Sequence, residues 1–406
     1  MYAIKVELKL NNKERTKMAQ HAGFSRFIYN YGLSLMQQLD HKEYKGSSTK
    51  KIDEIQKTFT NFTKKLPEFK WTNKMSSRVY QTGFRAVKDA YSRWHKGLGK
   101  KPVFKRKKDK RSFTIVNGSG KVVLEAGKHI KIPTLGTFRI KWSLDCRYVT
   151  QTFTVSETAG RWFVSFSVDA ERLPPLMHEV AEPVGVDLGV KCFATLSDGS
   201  KYVAPKPYKK AKTKLGKQQW RNRNKVLGNR RQGIKASNNA KKHYAKLAKL
   251  HARTANIRKD FLNKTTTELA RKYAVLHIED LNTSGMIANH KLAAAISDLG
   301  FYEFRRQLGY KQRHYGNRVM LVDRWYPSSK TCHNCGNMQP MPLSERTYEC
   351  KKCSHIADRD LNAALNLADA PHSELKRLEP SARGGLPVDG LAADSPGRSR
   401  KKTVNL

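Results

Sequence analysis

The sequence predicts a mixed α/β chain of several domains: a small β-barrel interrupted near its start by a helical insert, then a layered α/β domain carrying a zinc ribbon. Three observations predict it. The apolar period passes from two to about 3.6 and back to two before residue 170; strand and helix patterns alternate from Val184 onward; and two C-x2-C pairs interrupt that alternation near its end. At 406 residues the chain has room for several domains of roughly 100–200 residues each. Hydrophobic residues at 38% are enough to bury a core.

Alternation at Tyr2–Leu10 reads as a strand, and Asn11-Asn12 turns the chain into a helical stripe of Phe24, Phe27, Ile28, Tyr31 and Leu35. A second helix carries Ile55, Phe59 and Phe62. A third starts at Ser76 or Ser77, either able to cap it, and aligns Tyr80, Phe84, Val87, Tyr91 and Trp94 before Gly97 ends it. Period-two strands follow at Ser112–Val116, Lys121–Glu125, Thr137–Trp142, Gln151–Val155 and Arg161–Val168, separated by glycine turns. Trp162, Val164, Phe166 and Val168 would share one face. Short strands so spaced suggest a small barrel that the first strand completes.

From Val184 the pattern is a three-strand meander: a strand to Val190, Cys192–Leu196, an Asp198-Gly199 turn and Tyr202–Ala204. Two basic helices follow. Residues 201–260 hold 20 Lys or Arg and one acidic residue, Asp260, over half-hidden stripes of Tyr244, Leu247 and Leu250. A helix reaching Tyr273 leads into the buried strand Ala274–Glu279, a polar segment at 282–290, a long helix at about Ala293–Tyr315 and a strand at Arg318–Arg324. Residues 370–406 hold four Pro and four Gly with little apolar periodicity, and read as a disordered tail.

Lys and Arg number 79 against 34 Asp and Glu, a net charge of +45. Such a field strains the folded state unless a polyanion neutralises it, so nucleic acid is the expected partner. No apolar run is long enough to span a membrane and the amino terminus has no signal-peptide pattern, which predicts an intracellular protein with no membrane partner. In a reducing compartment, paired cysteines argue for metal over disulfides.

Cys332-His-Asn-Cys335 and Cys350-Lys-Lys-Cys353 stand 14 residues apart. Four thiolates fill a tetrahedral Zn²⁺ shell and leave no position for water, so one structural zinc is expected. Gly336 suits the tight turn after the first pair. His333 and His355 are neighbours rather than ligands, and Cys146 and Cys192 lie in strand patterns as core residues.

Three carboxylates stand where burial is costly or placement unusual. Asp187 interrupts an otherwise small and apolar strand, Glu279 ends another, and Asp360 follows the better helix cap Asp358 at the start of Leu361–Leu367. Taken alone, each is as readily a hydrogen-bonded structural acid. On its strand Asp280 points away from Glu279 and is structural. His277 shares the Glu279 face, where a hydrogen-bonded core role competes with one at the site, and Asn362 could orient Asp360 or touch phosphate.

In order, G-V-D-L-G-V, I-E-D-L-N, W-Y-P-S-S-K-T-C-H-N-C-G, Y-E-C-K-K-C and D-R-D-L-N-A-A-L-N resemble the RuvC-type nuclease of TnpB, the transposon-encoded RNA-guided endonucleases related to type V CRISPR effectors. The motif match covers about residues 184–369, and the amino-terminal half agrees in layout and length. The resemblance implies an RNase H-like (RuvC) nuclease domain over 181–330 and 354–369, a zinc ribbon at 331–353, a β-barrel wedge domain at 1–10 and 100–180, and a helical recognition domain at 11–99. It implies that Asp187, Glu279 and Asp360 hold two Mg²⁺ ions and are the catalytic residues.

The implied activity is Mg²⁺-dependent cleavage of double-stranded target DNA, directed by a transposon-derived guide RNA and a short target-adjacent motif. The implied protein is a prokaryotic, cytoplasmic, nucleoid-associated monomer. Candidate nucleic-acid contacts are Arg78, Tyr80, Gln81 and Asn117, where Gln and Asn can pair with adenine edges. The cationic joint Lys105, Arg106, Lys107 and Lys108 and the basic residues Arg221, Arg223, Arg230 and Arg231 join them. Residues 282–290 could act as a lid. Two other readings stay open: a guide-directed or accessory DNA-binding protein that does not cut, and a guide-independent RuvC-type nuclease.

Overall fold

The computed structural model describes residues 2–40, 47–107, 111–116, 122–124, 127–144, 148–150, 152–168, 178–228, 232–342 and 344–379. Asn117, Lys108, Arg230, Arg231, Cys146 and residues 380–406 of the expected tail lie outside them. The chain divides into two compact units, Met1–Glu171 and Arg172–Leu406. No described helix is long and apolar enough to cross a membrane.

In the first unit, β1 (Tyr2–Lys9) leads into α1 (Asn12–Asp40), α2 (Ser48–Asn61) and α3 (Ser77–His95). Strands β2 (Ser112–Val116), β3 (Val122–Leu124), β4 (Gly127–Ile132), β5 (Gly136–Leu144), β6 (Tyr148–Thr150), β7 (Thr152–Thr158) and β8 (Arg161–Val168) follow. A reciprocal cap starts α1: Glu14 N–H donates to Asn11 Oδ1 (2.9 Å) and Asn11 N–H to Glu14 Oε2 (2.8 Å). Ser76 is the residue before α3, but its hydroxyl is 2.6 Å from Thr134 Oγ1 and does not cap the helix.

The insert has no core of its own. Phe24, Ile28, Phe59, Phe84 and Tyr91 of the helices bury together with Val6, Phe113, Val155, Val164 and Phe166 of the strands, as one cluster. Trp162, Val164 and Phe166 do share a buried face.

The first strand completes the sheet by pairing β8 on one side and β5 on the other, yet the expected barrel does not close. The order β2-β7-β8-β1-β5-β4 leaves β2 and β4 as edges, with no pairing between them among the described residues. A physical reason is visible at β2. Two of its carbonyls are taken by side chains of α3, Thr114 O by Thr82 Oγ1 (2.6 Å) and Val116 O by Arg78 Nη1 (3.2 Å). The helix protects this edge in place of another strand.

In the second unit, β9 (Val180–Leu188), β10 (Ala194–Leu196) and β11 (Lys201–Tyr202) form the meander, and α4 (Pro207–Arg221) and α5 (Asn238–Lys272) are the two basic helices. Next come β12 (Tyr273–Glu279), α6 (Thr283–Ala288), α7 (Ala293–Leu299), α8 (Phe301–Tyr315) and β13 (Arg318–Val322). The chain ends its described course with β14 (Thr347–Glu349), β15 (Ile356–Asp358), α9 (Arg359–Ala368) and β16 (Leu375–Arg377). The sheet order is β11-β10-β9-β12-β13-β16, with β9, β12 and β13 parallel.

Two expectations are corrected here. The single helix expected over 293–315 is broken at Gly300, whose φ of +77° ends α7 and starts α8. Residues 370–379, expected in the tail, are folded: β16 pairs antiparallel with β13, and Leu378 N–H donates to Val319 O (2.9 Å). Three apolar residues, Leu375, Leu378 and Ala370, are too few to show a period, which hid this edge strand in the sequence. The polar segment 282–290 is also ordered, with Asn282 Oδ1 capping α6 by accepting from Gly285 N–H (3.0 Å).

Candidate functional site

The register of the parallel strands places the first two acids. His277 pairs with Gly185 and Ile278 with Val186, so Glu279 stands level with Asp187 on neighbouring strands. Val184, Val186, Leu276 and Ile278 are buried with Leu262, Leu269, Phe301 and Phe304 on one side of the sheet. By strand alternation Asp187 and Glu279 face the other side, where α9 packs.

Gly185 makes that packing possible. A Cβ there would lie 1.9 Å from Ala364 O and 2.5 Å from Ala368 N, both backbone atoms of α9. The missing side chain lets the helix rest on β9, and the small residues of D-R-D-L-N-A-A serve the same approach. Asp358 caps α9, accepting from Asp360 N–H (2.9 Å) and Leu361 N–H (3.1 Å), while its other oxygen is 3.0 Å from Lys201 Nζ. Asp360 therefore projects from the first turn.

Asp187 feels the other two acids. Burial pushes the Asp187 carboxyl well above the usual carboxylate range, and the charges of Glu279 and Asp360 push it further, partly offset by Arg359. Burial also raises Glu279, against a bond from Ser328 Oγ (3.4 Å to Oε1) and the Arg359 charge. Arg346 Nη1 is 3.8 Å from Asp360 Oδ1. Asp280 is engaged elsewhere, paired with Arg305 and with Arg324 (3.3 Å). His277 is buried with Nδ1 3.0 Å from Leu367 O, a satisfied core histidine.

The four cysteines form the tighter cluster. All their Sγ atoms lie within 4.8 Å of one another, with Cys332–Cys353 at 3.7 Å and Cys335–Cys350 at 3.6 Å. Four sulfurs tetrahedral about Zn²⁺ at ~2.3 Å would stand ~3.8 Å apart, whereas a disulfide needs ~2.05 Å; the spacing fits a structural zinc. Bonds from Asn334 Nδ2 and the His355 N–H lower the Cys353 thiol to about 6, whereas burial raises Cys332. Gly336 has the positive φ its turn needs, +71°. Neither histidine joins the cluster. Cys192 is half-buried near Tyr202 O (3.3 Å) rather than a core residue.

The sequence did not reveal what ties the ribbon to α9. Asn362, expected to orient Asp360 or meet phosphate, is fully buried: its Oδ1 accepts from His333 N–H (3.0 Å) and its Nδ2 donates to Thr331 O (2.8 Å). Asn366, one turn on, donates to Ser328 O (2.8 Å) and Thr331 O (2.7 Å). Their i, i+4 spacing is the signal that could have shown a shared partner.

Among the expected nucleic-acid contacts, Tyr80 is largely buried by packing against Phe59, ring centroids 5.5 Å apart. Arg78 turns inward to the edge of β2, as described above. Gln81 is exposed at a groove of about 240 Å³ between α2 and α3. Lys105, Arg106 and Lys107 are exposed, Lys105 with its ammonium 3.9 Å over the Tyr29 ring. Arg221 and Arg223 are exposed at the end of α4, Arg223 stacked 4.7 Å over Trp220. Asp298 holds the start of α4 by accepting from Tyr208 and Lys209 N–H (2.9–3.0 Å).

Comparison with known proteins bears on the whole chain. A protein of Escherichia coli K12 named "Putative RNA-guided DNA endonuclease InsQ" is 30% identical over 92% of this chain and 93% of its own length. The chain belongs to the TnpB/OrfB family. A Streptomyces pristinaespiralis protein named "Putative RNA-guided DNA endonuclease" is 34% identical over 76% of this chain and 74% of its own. Three family descriptions fall within this TnpB/OrfB chain: "Helix-turn-helix domain" at 1–44, "Probable transposase" at 163–290 and "Cas12f1-like, TNB domain" at 301–367. The solved Cas12f1-sgRNA-target DNA complex matches with a TM-score of 0.51 at 14% identity, over 90% of this chain and 82% of that one. This likeness shows a shared fold.

Proposed function

We propose that this TnpB/OrfB chain is an RNA-guided DNA endonuclease that binds a guide RNA, reads a short motif beside its target and hydrolyses DNA at one RuvC-type site. The observation that carries the reading is that Asp187 and Glu279 stand level on neighbouring strands facing α9, the helix that bears Asp360, and that Asp187 is raised by burial and by the charges of the other two. Acids held so are short of a cation. Three oxygen donors without sulfur or imidazole suit hard Mg²⁺, and the family resemblance implies two such ions.

Bound there, the pair would supply an activated water and charge stabilisation at the scissile phosphate. The chain's own residues do the placing. Asp187 and Glu279 are fixed by strand register, Ser328 orients Glu279, and α9 carries Asp360. In this reading the first unit is the wedge with its helical recognition lobe, and α4 and α5 lie along phosphates, while guide pairing carries sequence information. The names of the relatives and the guide and target in the Cas12f1 complex support it.

The test is plasmid cleavage by protein purified with its co-expressed RNA, using matched and mismatched guides, with and without Mg²⁺, beside Asp187→Ala. Cleavage that needs the matched guide, Mg²⁺ and Asp187 is expected. Cutting that ignores the guide, or guide-dependent binding without cutting, overturns it.

A further inference from the structure

Trp325 is 84% exposed, more than any other large apolar side chain among the described residues. Its backbone is nevertheless pinned. Trp325 N–H donates to Asp323 Oδ1 (2.8 Å), Tyr326 N–H to Asp323 O (3.1 Å) and Asp323 N–H to Glu374 O (3.0 Å). Tyr326 OH reaches Asn366 O of α9 (3.2 Å). The indole is thus held out on a fixed turn, contributing nothing to the core.

Its turn lies a short length of chain from Glu279. Ser328, whose hydroxyl meets Glu279, is three residues on, and three residues span at most ~11 Å. Close to it in sequence, Asp323, Arg324 and Lys330 are exposed, Arg324 reaching Asp280 (3.3 Å), so the ring stands in a charged stretch of chain rather than in an apolar run of the kind that docks a protein. An aromatic face next to cations, in a chain of net charge +45, is the composition that stacks unpaired nucleobases while holding their phosphates.

We propose that Trp325 stacks on an unpaired base of the DNA strand entering the carboxylate site and thereby positions the phosphodiester to be cut. This rests on the nuclease reading above. Stacking of this kind accepts any base, so Trp325 sets the distance from the ring to the cut rather than the sequence.

The test uses the RNA-loaded protein with target DNA carrying 2-aminopurine at successive positions near the cut, in Ca²⁺ so that the strand is held, and single-turnover cleavage in Mg²⁺. Stacking predicts quenching at one or two positions, lost in Trp325→Ala and kept in Trp325→Phe. Cleavage by Trp325→Ala should fall between about 5-fold and 100-fold, with binding of the guide-matched duplex unchanged. Quenching that survives Trp325→Ala, or a rate that does not change, overturns the proposal. A wild-type complex that quenches but never cuts refutes the nuclease reading and leaves the stacking intact, so the two failures are separable.

Discussion

Replacing Gly185 by alanine tests whether α9 holds Asp360 in place by lying directly on β9. The added Cβ would stand 1.9 Å from Ala364 O, and ordinary contact begins at 3.4 Å, so the helix must retreat by about 1.5 Å. Both nearest atoms are backbone, and no rotamer change relieves the clash. Asp360 is one turn before Ala364 on the same helix and moves with it, away from Asp187 and Glu279. Overpacking of this kind costs about 1–3 kcal/mol, a fall in Tm of roughly 2–12 °C for a unit of this size. A displacement near 1 Å in a catalytic group costs on the order of 100-fold in rate. The assay is single-turnover cleavage by the RNA-loaded variant, with Tm and zinc content measured alongside to show that the fold survives. Wild-type rate and Tm together would refute the direct packing of α9 on β9.

Asp358→Ala removes the cap of α9 at a cost of about 1 kcal/mol and should retain most cleavage, whereas Asp360→Ala abolishes it; equal losses in a side-by-side assay would reassign the third acid to Asp358. Burial, with repulsion from Arg271, lowers Lys311 to about 8, although its three N–H groups are shared among Asn263 O and Oδ1, Thr266 Oγ1 and Thr267 Oγ1. Between pH 8 and 10.5 the unfolded chain therefore binds the extra proton, and stability should rise with pH by roughly 3 kcal/mol relative to Lys311→Met; denaturant titrations of both proteins that run parallel across that window would contradict it. Stripping zinc with a strong chelator should speed amide exchange in α9 as well as in the ribbon, because Asn362 and Asn366 hold the two together; exchange confined to the ribbon would contradict that.

The sequence is most legible where one local rule decides the outcome. Hydrophobic period gave α1, α3, β8 and β12, and two C-x2-C pairs gave the cysteine cluster, since each signal lies within a few residues. The three acids are different. Whether Asp187, Glu279 and Asp360 work together depends on parallel register and on a helix arriving after the ribbon, neither of which is written locally, and the family resemblance supplied that step. Sequence alone does not place Tyr80, because a helical aromatic serves core and surface equally; packing against Phe59 puts its ring in the core. The open edge at β2 was hidden for a related reason: Arg78 and Thr82 satisfy its carbonyls from another element, and strand alternation does not report who covers an edge.

Asp360 is then located by two independent supports, and their coupling can be measured. One is the bare backbone contact at Gly185. The other is the clasp on the ribbon, where Asn362 bonds His333 N–H and Thr331 O while Asn366 bonds Ser328 O and Thr331 O. Ser328, just before the ribbon, meets Glu279, and Arg346 of the ribbon meets Asp360, so the ribbon and its approach touch two of the three acids. Asn362→Ala leaves the half-buried His333 N–H without its Asn362 partner, while Thr331 O keeps its bond from Asn366, a loss of about 1–3 kcal/mol. If clasp and contact fix the same helix, the second mutation acts on a helix already loosened, and the rate losses of Gly185→Ala and Asn362→Ala should add to less than their sum, by about 0.5–3 kcal/mol in a double-mutant cycle. Strict additivity in cleavage would mean that ribbon and sheet act on Asp360 separately, and the clasp would then be an anchor for the ribbon alone.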